Sequence, residues 1–374
     1  MTKMTDEQLK ESLVAELTVR EIASKFGMSE RAVQVRKAKL AKAGYSPEHD
    51  MLHQVPEGFL LKGQSTYYNK EGKPTQRWVK SAIDRDKQIE LIQEFILGMK
   101  DDLPRELPVV NYNHINSPEL LNQFTVTDYH LGMLAWDEES GDNWDMKIAT
   151  DLITKWFAEA IRCSPMAQTA VLAQLGDFLH WDGLDAVTPS SGHVLDADTR
   201  FQKLARAAIY ITRTIIKMLL EKHEKVHVIF AEGNHDMASS IWMREFLTVL
   251  YEDEPRINID QSPDPYYCYV HGETSLFYHH GHKKRMDSLS DVFAAKFRKE
   301  LGNSTYSYAH VGHLHHHRVI ETSLMNIEQH QTLAAKDAYA SRGGWLSKRS
   351  ATVITYHKKF GEVCRSTITP EMVG

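Results

Sequence analysis

The chain has 374 residues, 42% of them hydrophobic and 25% charged, the composition of an ordinary folded protein of about two domains with room for a sizeable core. Its formal charge of -6 excludes nucleic-acid binding through overall basicity, so any such contact must come from a local patch. Three scattered cysteines, Cys163, Cys268 and Cys364, exclude a disulfide framework, and neither a membrane span nor a signal peptide's apolar core is seen, so a cytoplasmic location is expected.

Residues 1 to 50 read as a small all-α module. A helix from roughly Asp6 to Leu17 would turn Leu9, Val14 and Leu17 inward. Thr18-Val-Arg-Glu21 is a capping box opening a second helix, Arg20 to Phe26; Gly27-Met28 then breaks the pattern and Ser29 caps a third helix to about Ala43. Two short helices joined by a glycine-containing turn make a helix-turn-helix pattern. In the third helix Ala32, Val33 and Leu40 would face inward, while Arg31, Gln34, Arg36, Lys37, Lys39 and Lys42 face out. Between Ser29 and Ala43 five basic residues stand against Glu30 alone, which suits phosphate contact and entry into a major groove. The stretch Glu21-Ile-Ala-Ser-Lys-Phe-Gly-Met-Ser-Glu-Arg-Ala-Val33 resembles the winged-helix and resolvase-type helix-turn-helix families. That resemblance implies DNA as a partner, with Arg31, Gln34, Arg36 and Lys37 as contact residues. The same helices would equally serve protein contacts or a homo-oligomer.

Residues 51 to 119 form a connector. Phe59-Leu-Leu-Lys-Gly63 and Arg77-Trp-Val-Lys80 flank the turn sequence Asn69-Lys-Glu-Gly72, which predicts a β-hairpin. A helical pattern follows from Ile83 to Met99 and ends before Pro104 and Pro108. Nothing here carries recognisable chemistry beyond Lys62, Tyr67, Tyr68, Arg77 and Trp78 as a nucleic-acid face.

From about 120 to 374 the chain repeats one device, a short apolar strand followed by a polar cluster. Phe124-Thr-Val-Thr leads to Asp128-Tyr-His130, and Ala170 to Leu175 leads to Gly176-Asp-Phe-Leu-His180. Val226 to Phe230 delivers Gly233-Asn-His-Asp236, Ser275 to Tyr278 delivers His279-His-Gly-His282, and Tyr308 to Val311 delivers Gly312-His-Leu-His315. Amphipathic helices are expected over Asp145 to Arg162 and Asp198 to Lys222. Clusters that each follow a strand should gather at one edge of a sheet, where α/β folds place their ligands. Any one of them, Gly233-Asn-His-Asp236 included, is explicable alone as turn chemistry.

Together they offer Asp128, His130, Asp177, Asn234, His280, His313 and His315. Carboxylate, imidazole and amide oxygen without thiolate suit Mn, Fe, Zn or a similar divalent ion. Seven such groups exceed the needs of one catalytic ion, and two ions about 3.5 to 4 Å apart would form a hydrolytic clamp for phosphate esters.

Asp128-x-His130, Gly176-Asp177, Gly233-Asn-His-Asp236, His280-Gly281 and Gly312-His-x-His315 resemble, in order, the five motifs of the calcineurin-like metallophosphoesterases. The resemblance covers about 120 to 320 and implies an α/β fold, a β-sandwich flanked by helices (αββα). By it, Asp128, His130, Asp177 and His315 would hold one divalent ion, and Asp177 as bridge, Asn234, His280 and His313 a second, with Mn as the first expectation and Fe, Zn, Ni or Mg as others. His235 would act on the phosphate as general acid, Asp236 would orient its ring, and water activated by the ions would attack phosphorus in line. Thr127-Asp-Tyr-His-Leu-Gly132 and Gly176-Asp-Phe-Leu-His180 look like the motifs of the double-strand-break repair exonucleases in this superfamily, which would make His180 catalytic for phosphodiesters.

Blander roles compete. His279 flanks His280 and would face the other side of the strand, while His316 and His317 read as a solvated basic continuation with Arg318. The acidic loop Trp181 to Thr199 is either surface or lid. Ala351 to His357 and Glu362 to Thr369 read as a terminal hairpin closing the sandwich. The expected domains are 1–50, helix-turn-helix; 51–119, connector; and 120–374, catalytic. The expected function is a dinuclear-metal phosphodiesterase or nuclease brought to DNA. The alternatives are a phosphatase or nucleotide phosphodiesterase, and a DNA-binding regulator with a secondary or inactive core.

Overall fold

The structure, a computed structural model, describes residues 4–47, 59–68, 74–83, a few positions between 87 and 94, 116–189 and 192–374. Of the helix expected from Ile83 to Met99, Ile83 instead ends a strand, the few described positions between 87 and 94 are helical, and the rest lies outside the described residues, as do the turn Asn69 to Gly72, Pro104 and Pro108. The chain divides into two compact units, Met1–Met99 and Lys100–Gly374.

In the first unit three helices, α1 (Asp6–Val14), α2 (Val19–Phe26) and α3 (Glu30–Lys42), enclose Leu9, Leu13, Ile22, Val33, Leu40 and Tyr45. Thr18 and Glu21 form the expected capping box, Gly27 ends α2 at a left-handed φ of 61°, and Ser29 caps α3. Val14 does not face the core: α1 stops there, and Leu13 takes the buried position while Val14 is 62% exposed. β1 (Phe59–Tyr68) and β2 (Pro74–Ile83) form an antiparallel hairpin in the same unit.

The second unit begins with β3 (Ser117–Val126), then α4 (Met146–Cys163), β4 (Ala167–Gln174), α5 (Phe201–Lys222), β5 (Lys225–Phe230), α6 (Met237–Leu250) and β6 (Ile257–Ile259). β7 (Tyr267–His271), β8 (Thr274–Tyr278), α7 (Leu289–Lys296), β9 (Tyr306–Val311), β10 (Arg318–Glu321), β11 (Asn326–Gln329), β12 (Ala351–His357) and β13 (Gly361–Ile368) complete it, with short helical turns between. One sheet runs β13-β12-β3-β4-β5-β6 and the other β10-β11-β9-β8-β7. Strands β3 to β6 are parallel, as are β8, β9 and β11; the terminal hairpin β12–β13 is antiparallel and joins the first sheet beside β3.

Period-two alternation decides which face each side chain takes. Val171, Ala173 and Leu175 of β4 with its exit, Ile229 and Ala231 around the end of β5, and Leu276 and Tyr278 of β8 meet in the core between the sheets. Phe277 of β8 and Ala309 and Val311 of β9 point the other way, onto Leu289 and Phe293 of α7. On the outer face of the first sheet Phe124 packs on Phe157 of α4, and α5 packs beside α4. The result is four layers, αββα, with the near-continuous burial expected of parallel strands covered on both faces. α4 starts one residue after its cap Asp145, and its Ile148, an apolar residue of the amphipathic pattern, is exposed. α5 begins at Phe201 rather than Asp198, because the Asp198 carboxylate instead accepts the Met146 N–H at 2.9 Å.

Candidate metal centre

All five polar clusters leave C-terminal strand ends, and parallel pairing lays them side by side. Asp128 N donates to the Gly176 carbonyl, and His130 N to that of Asp177, both at 3.0 Å. Gly312 N donates to the His280 carbonyl at 2.8 Å. The motif glycines follow from close approach: a Cβ on Gly233 would meet Asp177 Oδ1 at 2.0 Å, and one on Gly312 would meet Thr127 Oγ1 at 1.9 Å. Only glycine lets loops carrying aspartates pack this tightly.

The seven expected ligands converge. Ligand atoms of Asp128, Asp177, His280 and His313 lie within 4.8 Å of one another, as do those of Asp128, His130 and His315. Asp128 therefore belongs to both groups. His280 Nδ1 donates to the Leu175 carbonyl at 2.8 Å, which turns Nε2 toward Asp177 Oδ2 at 3.1 Å and Asn234 Oδ1 at 3.2 Å. His315 Nε2 lies 3.1 Å from Asp128 Oδ1. Thr127 Oγ1 and His313 N both donate to Asp128 Oδ2, at 2.6 and 2.8 Å, and Asp177 Oδ1 accepts His235 N at 2.7 Å, so one oxygen of each carboxylate is fixed while the other faces an imidazole Nε2.

Burial and charge act against each other here. Burial opposes protonation of His280, but Asp177 and Asp128 outweigh it and lift the ring to about 10. His315 is raised by Asp128 against the same opposition. Burial would raise Asp128 and Asp177, yet His315 and His280 beside the first and His280 beside the second hold both below the usual carboxylate range. His130 and His313 are pushed down, by burial first and then by neighbouring imidazoles.

These features fit a divalent cation. Nε2 of His280 faces two oxygen acceptors, His313 Nδ1 is buried without a partner, and the donors are nitrogen and oxygen only. Of the six non-glycine residues with left-handed φ among those described, five are Asp128, His130, Asp177, His313 and His315. A backbone held in that region at five ligand positions stores strain where function needs the side chains aimed. These donors are of the types that hold divalent cations.

His235 stands beside this set, its ring 4.8 Å from that of His130. Its Nδ1 donates to the His180 carbonyl at 2.8 Å, leaving Nε2 available to a substrate. The expectation that Asp236 orients this ring is corrected. No hydrogen bond joins them among the described residues, and the Asp236 carboxylate instead accepts the N–H groups of Asp177, Phe178, Leu179 and Gly233 at 2.7–3.1 Å. His180 too sits differently from expectation. It is buried behind His130, Nδ1 to Nδ1 at 3.3 Å, and supports His235 through its carbonyl, so it positions two rings rather than meeting substrate.

Some contributors carried weak signals or none. Thr332 Oγ1 donates to the Asp128 carbonyl at 2.6 Å from a position 204 residues away, which no local pattern marks. Asp182, in the acidic loop, is half-buried and accepts Ala238 N and Ser239 N at 2.6 and 2.7 Å, capping α6. His279 and His282 hold buried nitrogens without partners beside His280, His282 on both. His317 is not simply solvated: it lies 3.2 Å from Glu328.

In the first unit Arg31 and Gln34 are exposed on α3. Arg36 is half-buried and donates to the Met4 carbonyl, which corrects its expected outward direction, and Lys37 is half-buried as well. Of the connector's expected face, Lys62, Tyr67 and Trp78 are exposed on the hairpin.

No family model matches the chain, and no curated protein matches it in sequence. Among solved structures it is similar to an archaeal phosphodiesterase, at 12% identity over 66% of this chain and 98% of that one with a TM-score of 0.34. It is also similar to a Streptococcus pneumoniae protein described as a predicted phosphoesterase (11% identity, 67% and 91% covered, TM-score 0.29) and to Entamoeba histolytica Vps29 complexed with zinc (10%, 67% and 99%, 0.27). The chain's own residues carry more: two sheets lie between helical layers, and the strand-end loops bring carboxylate, imidazole and amide ligand atoms together.

Proposed function

We propose that this chain is a dinuclear-metal phosphodiesterase acting on nucleic acid, with manganese as the first ion to test. The observation that carries the hydrolase reading is the convergence of Asp128, His130, Asp177, Asn234, His280, His313 and His315 with Nε2 of His235 left open beside them. Bound ions would polarise the phosphoryl oxygens and activate water. The chain's residues do the rest: Asp128 and Asp177 carry the negative charge that holds cations, Asn234 adds a neutral oxygen, and His235, fixed at Nδ1 by His180, presents Nε2 where a leaving oxygen needs a proton. The diester preference rests on the resemblance of the first two motifs to the repair exonucleases, with His180 acting through His235 rather than on the substrate, and the DNA partner rests on the exposed polar face of α3, now chiefly Arg31, Gln34, Lys39 and Lys42. A hairpin following three helices in one unit is compatible with a winged helix-turn-helix.

The manganese-loaded chain should turn over bis(p-nitrophenyl) phosphate faster than p-nitrophenyl phosphate. Turnover of the monoester alone would overturn the diesterase reading. Retention of a DNA duplex should weaken on Arg31→Ala; unchanged retention would remove DNA contact from α3.

A further inference from the structure

Beside the metal centre lies a second concavity, a cavity of about 310 Å³ between the loop after β8 and the loop after β9. Gly281 and Gly312, the residues next to His280 and His313, line it and so form the wall it shares with the ion ligands. Its charged lining is Lys283, Lys284, Arg285 and Arg318 against the single carboxylate of Asp287. Asp287 steadies both guanidinium groups, Arg318 at 3.2 Å and Arg285 at 3.6 Å, without neutralising the pair. Lys283 reaches Glu232 at 3.5 Å, and Lys284 is exposed, with no ion pair among the described residues. In a chain of net charge -6, four cations in one pocket adjoining a cluster built for divalent cations are a concentrated positive field.

We propose that this pocket holds a second phosphate of the substrate, the one next to the scissile group along a nucleic-acid strand. The inference rests on the phosphodiesterase reading and names its substrate class, a polynucleotide rather than an isolated ester. Paired guanidinium groups match the oxygens of a phosphate, and lysines add non-directional charge. The pocket shares the Gly281 and Gly312 backbone with the ligand loops, so a phosphate held there would neighbour the one at the ions. The two phosphates of a pyrophosphate share an oxygen and would both crowd against the ions. No base recognition is implied, because the lining offers charge rather than aromatic stacking.

The test compares the manganese-loaded full chain with a Lys284→Ala/Arg318→Ala double variant on a single-stranded DNA oligonucleotide, on bis(p-nitrophenyl) phosphate and on a nucleoside diphosphate. Loss of two charge-assisted contacts should lower kcat/KM for the oligonucleotide roughly tenfold to a hundredfold, chiefly through KM. The small diester should change less than twofold. An equal fall on oligonucleotide and small diester, or no change on either, overturns the proposal. So does a fall confined to the nucleoside diphosphate, which would make the pocket a seat for a nucleotide's own phosphates. Wild-type turnover of the small diester without the oligonucleotide refutes the strand assignment and leaves the hydrolase standing, whereas turnover of neither refutes the hydrolase reading itself. Fluorescence anisotropy of the labelled oligonucleotide on the ion-free chain, with Arg31→Ala present in both proteins so that α3 does not mask the pocket, gives a readout independent of turnover: the double variant should bind roughly tenfold or more weakly, and equal binding counts against the pocket.

Discussion

Two histidine–carboxylate clusters lie in the catalytic unit, and they are built to opposite ends. One is the metal centre; the other joins His310, Glu328 and His330. In the second cluster every polar atom is already answered. Glu328 is held by both arms of the Arg365 guanidinium at 2.6 and 2.8 Å, His310 Nδ1 meets His330 Nε2 at 2.9 Å, His310 Nε2 meets the Tyr356 hydroxyl at 3.0 Å, and Thr352 faces His330 Nδ1 at 3.3 Å. Arg365 reaches from β13 in one sheet to Glu328 on β11 in the other, so this network ties the sandwich across its layers. At the candidate metal centre, among the described residues, His280 Nε2 meets only oxygens, His313 Nδ1 has no hydrogen-bond partner, and the backbone is held at left-handed φ. Residue types alone do not separate a cation site from a structural network. Whether the polar atoms are satisfied without a cation does.

The largest way to sharpen that contrast is Asp177→Asn. Halving the carboxylate charge should reduce metal-dependent hydrolysis by roughly a thousandfold or more and lower bound manganese, measured by atomic emission on dialysed protein. Retained activity would sink the assignment of Asp177 as a ligand. Gly233→Ala should act through the same residue, since its Cβ would collide with Asp177, and should lower metal content while the sandwich still melts cooperatively. On the other side, Arg365→Ala leaves Glu328 buried without its partner and should cost about 3 kcal/mol of stability, read by urea titration, with metal content unchanged. A loss of bound metal in that variant would erase the distinction between the clusters.

A smaller effect is pH dependent. In the ion-free chain the Asp177 and Asp128 charges overcome burial and keep His280 protonated up to about 10, whereas an unfolded histidine titrates near 6.5. Its contribution to stability is therefore complete below pH 6.5 or so and lost as pH rises through about 10. Thermal melts in chelator should show this decline, and saturating manganese should flatten it, because a cation would take the place of the proton. Identical pH profiles with and without manganese would argue against His280 as a ligand.

Legibility in the sequence followed locality. The five loops were readable because each polar cluster sits directly after its strand, and the terminal hairpin because its two strands flank their own turn. What joins distant segments was not readable: Thr332 on Asp128, Asp182 on α6, and the His310–His330–Tyr356 chain bring together residues with no shared period. Side-chain roles also slipped where two plausible partners competed. Asp236 follows His235 directly, yet its carboxylate takes four backbone N–H groups that no motif advertises. Helix ends failed for the same reason, as Asp198 caps another element instead of its own helix.

That carboxylate has a consequence for how ions come and go. By tying Gly233 to Asp177, Phe178 and Leu179, Asp236 staples the second and third ligand loops together with bonds that involve no metal. The cage therefore keeps its shape when empty. Entry of a divalent ion into the empty cage should need no slow refolding of the loops.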